Sequence, residues 1–188
     1  MTVLLRLFSK RLILRRFDFS SANKQVQSGI LPSTGESTFY PAIAANARGD
    51  VAVAYGASSL TVFPNLSISG RRASDPTGTM SQSTMLGTGS TSPTTAGNRW
   101  GDYFGIAVDP ANDCTFWSIG EIGGGSWSTV INSFSVAQSA DVDSSGAVDS
   151  ADLSRLLLSY GICPCCVEDI DNSGEVDSSD VSRLLLEF

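Results

Sequence analysis

The sequence predicts a mainly β chain, a partial β-propeller of about two blades, followed by a small α module of two acid-lined loop–helix repeats. Three observations carry this prediction. Residues 12–136 alternate short runs rich in β-branched and aromatic residues with clusters of Gly, Ser, Thr, Asn and Asp, the punctuation of an all-β segment. Within that region a strand–turn–strand pattern recurs at an offset of 63 residues. The last 48 residues contain one 19-residue pattern twice, DVDSSGAVDSADLSRLLLS from Asp141 and DIDNSGEVDSSDVSRLLLE from Asp169, with 13 positions identical.

The β elements follow in order. LILRRFDFS (12–20) and KQVQSGIL (24–31) read as two short strands around a polar turn. VAVAYG (51–56), TVFPNLSISGR (61–71), YFGIAV (103–108) and CTFWSIG (114–120) carry further strand-forming runs, and GTGSTSPTTAGN (87–98) is loop by composition. The internal repeat aligns Tyr40–Asn46 and Gly49-Asp50-Val51 with Tyr103–Asp109 and Asn112-Asp113-Cys114. Strand, Asn/Asp-centred turn, strand: units of this length are what propeller blades look like. Residues 1–11, basic and apolar in alternation, lack a secretory-signal core and are expected to be an artefactual or truncated start; an amphipathic surface helix is the other reading.

Charge is divided unevenly. Residues 141–188 hold 11 acids against Arg155 and Arg183, whereas residues 1–140 hold 10 basic residues against 8 acids. So acidic a module argues against a nucleic-acid partner. No run approaches the ~20 apolar residues that span a bilayer, so no transmembrane segment is expected. The chain has no histidine, which excludes Ser-His-Asp and Cys-His catalysis.

The two repeats define the candidate site. Aspartates at loop positions 1, 3, 9 and 12 around a glycine at position 6 form the pattern of an EF-hand-type calcium loop. The predicted ligands are Asp141, Asp143, Ser145, Ala147 (through its carbonyl), Asp149 and Asp152, and then Asp169, Asp171, Ser173, Glu175 (carbonyl), Asp177 and Asp180. Two Ca2+ ions are therefore expected. Gly146 and Gly174 permit the sharp turn that points both loop halves at one ion. Serine at position 5 and aspartate at position 12 lower the expected affinity relative to ordinary EF-hands. Neither preceding segment, INSFSVAQSA or GICPCCVE, can supply an entering helix, while LSRLLLS and VSRLLLE each continue the loop as a helix begun near Asp152 or Asp180.

Duplicated loop-then-helix units joined by a cysteine-proline linker resemble a dockerin module over residues 137–188. The resemblance implies docking to a cohesin or cell-surface scaffold protein through Ser150, Ala151, Ser178 and Ser179 and the helices after them, in either of two pseudo-symmetric orientations. A small calcium-stabilised cap with no partner is the competing reading. Arg99-Trp100-Gly101-Asp102-Tyr103, Val108-Asp109-Pro110 and Asp113-Cys114-Thr115-Phe116-Trp117, with FYPAIAANARGDVAVAYGAS before them, resemble the final blades of bacterial sialidase-like propellers over residues 12–136. Together the resemblances imply an extracellular calcium-binding protein anchored by its tail. The alternative is an exo-sialidase-like glycoside hydrolase of polysaccharide catabolism, tethered by the tail. For the second, Arg99, Asp102, Tyr103 and Glu121 are residues of suitable type, although structural packing of RWGDY is favoured over catalysis. Tyr40, Trp117 and Trp127 are blade core in the favoured reading and a sugar-stacking surface in the other. Of the four cysteines, Cys163, Cys165 and Cys166 cluster in the linker; a linker disulfide and a zinc site are both open readings, with Cys114 expected to be a free, buried thiol.

Overall fold

The computed structural model describes residues 2–8, 11–18, 24–31, 35–81, 83–93, 100–136, 138–143 and 145–188, without the side chains of residues 2–8, 11–18, 24–27 and 127. Arg99 and residues 94–98 of the expected loop lie outside this set, as does the side chain of Trp127. The chain divides into two compact units, residues 1–108 with 116–134, and residues 109–115 with 135–188.

The first unit is built from three antiparallel sheets. β1 (Thr2–Phe8), β2 (Arg11–Asp18) and β3 (Lys24–Ile30) form one in sequence order. Thr2–Phe8 is thus a strand and not a surface helix, paired along its length with β2 from Thr2↔Phe17 to Phe8↔Arg11. β4 (Ser37–Ala45), β5 (Val51–Ser58), β6 (Asn65–Arg71) and β7 (Thr84–Gly87) form the second sheet, again in sequence order. β8 (Gly105–Val108), β9 (Thr115–Gly124) and β10 (Ser126–Ser135) form the third.

β5 explains why the sheets stack. Its inner residues are all buried, so both of its faces are covered and it reads as a continuous apolar run instead of an alternation. Val53, Tyr55 and Ala57 pack on one face with Leu31, Ile43 and Met80. Ala54 packs on the other with Leu66, Ile68, Phe104, Ile106, Ile122 and Val130. Beside it, β6 turns Leu66 and Ile68 to the apolar cluster and Asn65, Ser67 and Ser69 to the opposite, also buried, face. These polar groups are paired internally: Ser67 Oγ donates to Asn65 Oδ1 at 2.7 Å and Ser69 Oγ to the Ser81 carbonyl at 2.6 Å.

The internal repeat folds as strand, turn, strand. In the β4–β5 turn Asn46 Oδ1 accepts the N–H groups of Gly49 and Asp50 at 2.9 and 2.8 Å. Asp50 in turn accepts from Arg48 Nε at 2.7 Å and from the Ala73 N–H at 2.9 Å. After β8, Asp109 plays the corresponding part, its Oδ1 accepting from the Ala111 N–H at 2.8 Å.

The expected fold class is corrected on two counts. Among the described residues the sheets do not close into a propeller: the first unit shows three antiparallel sheets where two blades were expected. A ring closes only when each sheet packs between two neighbouring blades. Nor is the second unit a helical module. It holds two helices of only 9 and 8 residues, α1 (Ser150–Leu158) and α2 (Ser178–Leu185), with a two-stranded ladder of β11 (Gly161–Ile162) and β12 (Glu175–Val176), and the rest is loop. Helices below about 12–15 residues are marginal alone, so these two depend on what holds their ends. Their buried contribution is Leu156 and Leu184, which join Ala140, Val142, Ile170 and Val176 in the unit's core.

RWGDY is only partly interior. Trp100 packs edge-on against Phe39, Tyr40 and Phe104, at centroid separations of 5.7–6.3 Å. Tyr103, for which the structural reading of RWGDY implied packing, is exposed, as is about half of Tyr40 and of Trp117. Tyr40 sits in the bulge between Phe39 and Ala42 with φ of 48°, and with Phe39, Pro41, Pro64 and Trp100 it lines an open apolar cleft of about 500 Å³. Gly101 lies beneath its ring and donates its N–H to the buried Glu121 carboxylate at 2.6 Å.

A Cβ at Gly101 would overlap the Tyr40 ring, and φ there is +99°; Gly35 has a similar φ of +81° with open space around it. Gly101→Ala is therefore expected to destabilise the first unit by about 2–4 kcal/mol, through overpacking as well as backbone strain. Gly35→Ala, which meets the strain alone, is expected to cost about 1–2 kcal/mol. Urea unfolding followed by tryptophan fluorescence measures the difference.

Candidate metal centre

Each acid-lined loop wraps its own carboxylates with its own backbone. In the first, Asp141 Oδ1 accepts the Ser145 N–H at 3.0 Å and Oδ2 the Gly146 N–H at 2.9 Å, while Asp143 Oδ1 also accepts from Ser145 at 3.0 Å. In the second, Asp169 accepts from Ser173 at 2.9 Å and Gly174 at 2.8 Å, and Asp171 from Ser173 at 3.1 Å. Gly146 and Gly174 adopt φ of +95° and +96° with nothing within 4 Å of where a Cβ would stand. The glycine is required there for its dihedral and not for space.

The twelfth loop residue ties the loop to its helix. Asp152 is fully buried; its Oδ1 accepts the N–H groups of Val142 and Asp143 at 2.8 and 3.1 Å, and its Oδ2 that of Asp149 at 2.9 Å. Asp180 repeats this with Asp171 and Asp177, at 3.1 and 2.9 Å. The ninth residues complete the arrangement as N-caps: Asp149 accepts from the Ala151 N–H at 2.7 Å and Asp177 from the Ser179 N–H at 2.6 Å, closing a capping box with Asp152 or Asp180 at N3.

Three of the four predicted aspartates in each loop converge. Carboxylate oxygens of Asp141, Asp143 and Asp152 lie within 4.8 Å of one another, as do those of Asp169, Asp171 and Asp180. Asp149 and Asp177 stand outside these triads in their capping role, a place compatible with the water-mediated contact usual for position 9. Ser145 and Ser173 turn their hydroxyls to the carbonyls of Ala147 and Glu175, donating at 3.2 and 3.0 Å. These two carbonyls are the predicted position-7 ligands.

Three charges so close repel: at such separations a pair of carboxylates interacts unfavourably by about 1 kcal/mol at the dielectric of water and about 3–4 kcal/mol at an effective value of 20. A cation at the focus of the triad converts that repulsion into attraction, so each triad can hold a metal ion. The two buried aspartates with shifted titration move in opposite directions. The Asp149 N–H above all, with further backbone donors, holds Asp152 below the usual aspartate range against the effect of burial. Its stabilising effect is present above the ordinary aspartate pKa and is lost as pH falls through the lowered value. Burial pushes Asp169 up, assisted by the Asp180 and Asp171 charges and opposed by the Gly174 and Ser173 N–H groups. A raised value has the opposite sign: above it, the folded loop carries the cost of a charged, buried Asp169, and a bound cation offsets that cost.

Several features of this unit are not visible in the repeat itself. Arg155 and Arg183 are equivalent in sequence, yet Arg155 Nε pairs with Glu168 at 2.9 Å and Arg183 Nε with Asp171 at 3.8 Å. The linker strand β11 pairs with β12. Cys114, expected to be a free thiol, is bonded to Cys165, and Cys163 to Cys166, with Cα separations of 5.3 and 5.7 Å. No cysteine is free, so the zinc reading has no thiolate to draw on. The nearest sequence signal was the clustering of three cysteines, which leaves their pairing open.

No protein-family model matches the chain, and neither does any curated protein or any solved structure.

Capping and ion holding are separable. Asp177→Ala is expected to lower stability by about 1 kcal/mol through loss of the N-cap while metal uptake by the second loop persists. Asp180→Asn, which removes a charge from the triad itself, is expected to abolish that uptake. Urea unfolding with equilibrium dialysis of the metal distinguishes the two variants.

Proposed function

We propose that the chain is an extracellular calcium-binding protein whose duplicated loops hold two Ca2+ ions and whose ion-organised helices dock it to a cohesin-like or cell-surface scaffold protein, in the manner of a dockerin. The observation that carries this reading is the recurrence, 28 residues apart, of one convergent carboxylate triad with the same backbone hydrogen-bond pattern. The donors around each triad are all oxygens: carboxylates, a serine hydroxyl and a backbone carbonyl. The chain has no histidine and its cysteines are bonded, so soft and borderline metals find no preferred ligand. Calcium, which takes six to eight oxygens in flexible geometry, suits such a set better than magnesium, which demands a strict octahedron.

Docking is supported by what the helices leave outside. Each buries one leucine, Leu156 or Leu184, and exposes the next two, Leu157 and Leu158 or Leu185 and Leu186, followed by an exposed aromatic, Tyr160 or Phe188. Core packing does not explain apolar residues kept at equivalent exposed positions in both copies; a surface that meets a partner does. Ser150, Ala151, Ser178 and Ser179 are exposed at the helix starts as the docking reading requires. Export is supported by the two disulfides, which persist in oxidising surroundings. Among the described residues no helix is long and apolar enough to cross a membrane.

Isothermal titration is expected to show two calcium ions per chain, and chelation to reduce helical circular dichroism, because each helix begins inside its ion loop. No uptake, or helix content indifferent to chelator, overturns the calcium assignment. Docking is tested on an immobilised cohesin domain: calcium-dependent retention, lost on Leu158→Asp with Leu186→Asp, is the expected result. Absence of retention, or retention unaffected by chelator, overturns docking.

A further inference from the structure

The two ion loops are alike in sequence but not in their support. Ala147 and Val148 of the first loop belong to no strand. Their counterparts Glu175 and Val176 form β12 and pair with β11, Ile162 opposite Glu175 and Gly161 opposite Val176. The ladder continues one step beyond the strand, where the Cys163 N–H donates to the Gly174 carbonyl at 3.0 Å. The residue whose carbonyl is the position-7 ligand of the second loop is thus held from outside by the linker, together with the glycine before it.

The linker is itself closed at this point. Cys163, Pro164, Cys165 and Cys166 make a turn in which the Cys166 N–H reaches the Cys163 carbonyl at 3.4 Å and the Cys163–Cys166 disulfide joins its ends. Cys165 within it has φ of 72°, a left-handed conformation that a side chain disfavours and that a covalent closure helps to maintain. Both Cys163 and Cys166 pack against the core that contains Ile170 and Val176. Three residues after Cys166 comes Asp169, the first ligand of the second loop, almost wholly buried where its counterpart Asp141 is partly exposed. Against these effects stands the Arg183–Asp171 contact, which an ion must displace; at 3.8 Å, with the arginine largely exposed, it is a weak competitor.

We infer that the Cys163–Cys166 turn braces the second loop, making it the tighter of the two calcium sites, and that reducing this disulfide weakens that site selectively. The inference rests on the calcium reading of the loops. Reduction by an added dithiol transfers two electrons and two protons to the bond, leaving two cysteine thiols while the reagent closes its own disulfide. The turn then loses its covalent closure, β11 frays from β12, and Glu175 must be ordered by the ion alone, so preorganisation is lost at one site.

The test uses the full chain and calcium as the probe in isothermal titration. Asp143→Asn disables the first loop and Asp171→Asn the second, so each remaining site is measured alone. Cys163→Ser with Cys166→Ser leaves the Cys114–Cys165 bond in place, which thiol counting verifies. With the first loop disabled, this double substitution is expected to weaken calcium binding about tenfold, the usual scale for losing a support behind a ligand. With the second disabled, the change is expected to stay below about twofold, because the first loop lacks that support. The unaltered chain, titrated before and after dithiol treatment, is expected to lose affinity in its tighter step; because the dithiol opens Cys114–Cys165 as well, the double serine variant assigns the loss to Cys163–Cys166. Equal weakening at both loops, or none at the second, overturns the inference and leaves the calcium reading standing. Failure of the untreated, unaltered chain to bind calcium overturns both.

Discussion

A carboxylate at the end of each loop takes hydrogen bonds from its beginning. Asp152 draws in the N–H groups of Val142 and Asp143 and, with its other oxygen, that of Asp149 at the helix start; Asp180 repeats the pattern in the second loop. One buried side chain thereby closes a loop, completes the capping box of a helix and adds a charge to a carboxylate triad that can hold a metal ion. The three tasks are coupled because an isolated helix of 8 or 9 residues lacks the length to persist unaided. Whatever neutralises the triad therefore also orders the helix behind it. The exposed leucines Leu157 and Leu158, and Leu185 and Leu186, follow directly on the segment that this carboxylate anchors.

The first unit obeys a different constraint. With β5 covered on both faces, the sheets beside it must present matching surfaces, one lined by Leu31 and Met80 and the other by Phe104, Ile122 and Val130. The strand next to it carries Asn65, Ser67 and Ser69 into the interior, where a polar group without a partner is costly. Their hydrogen bonds to one another and to Ser81 make that burial tolerable. Glu121 is held through one oxygen only, by the N–H of Gly101, whose lack of a side chain lets the Tyr40 ring lie directly above; its Oε1 is buried with no partner among the described residues. The RWGDY segment accordingly contributes packing through Trp100 and a backbone contact through Gly101.

Legibility in the sequence tracked the span of the interactions. VAVAYG, NLSISGR, GIAV and the TFWSIG run all became strands, since β-branched and aromatic content expresses itself over a few residues. The Asn46 and Asp109 turns were readable because an Asx side chain bonds the backbone two to four positions on. The first sheet was anticipated only in its second and third strands, because the mixed basic and apolar opening run carries no signal that separates a strand from an amphipathic segment. Closure into a ring was not readable at all. Blade-like periodicity describes a hairpin, and nothing within a hairpin counts how many others stand beside it.

By itself the sequence determined the two acid-lined loops: every carboxylate of a triad lies within twelve residues, and a glycine dihedral with an N-cap brings them together. Tertiary structure alone decided that Cys114 meets Cys165, that β11 supports one loop and not the other, and that near-identical arginines take different partners. The physical reason is range. A local turn is selected by the conformations of its own residues, whereas a partner tens of residues away is selected by the path of the chain between, which no short pattern records.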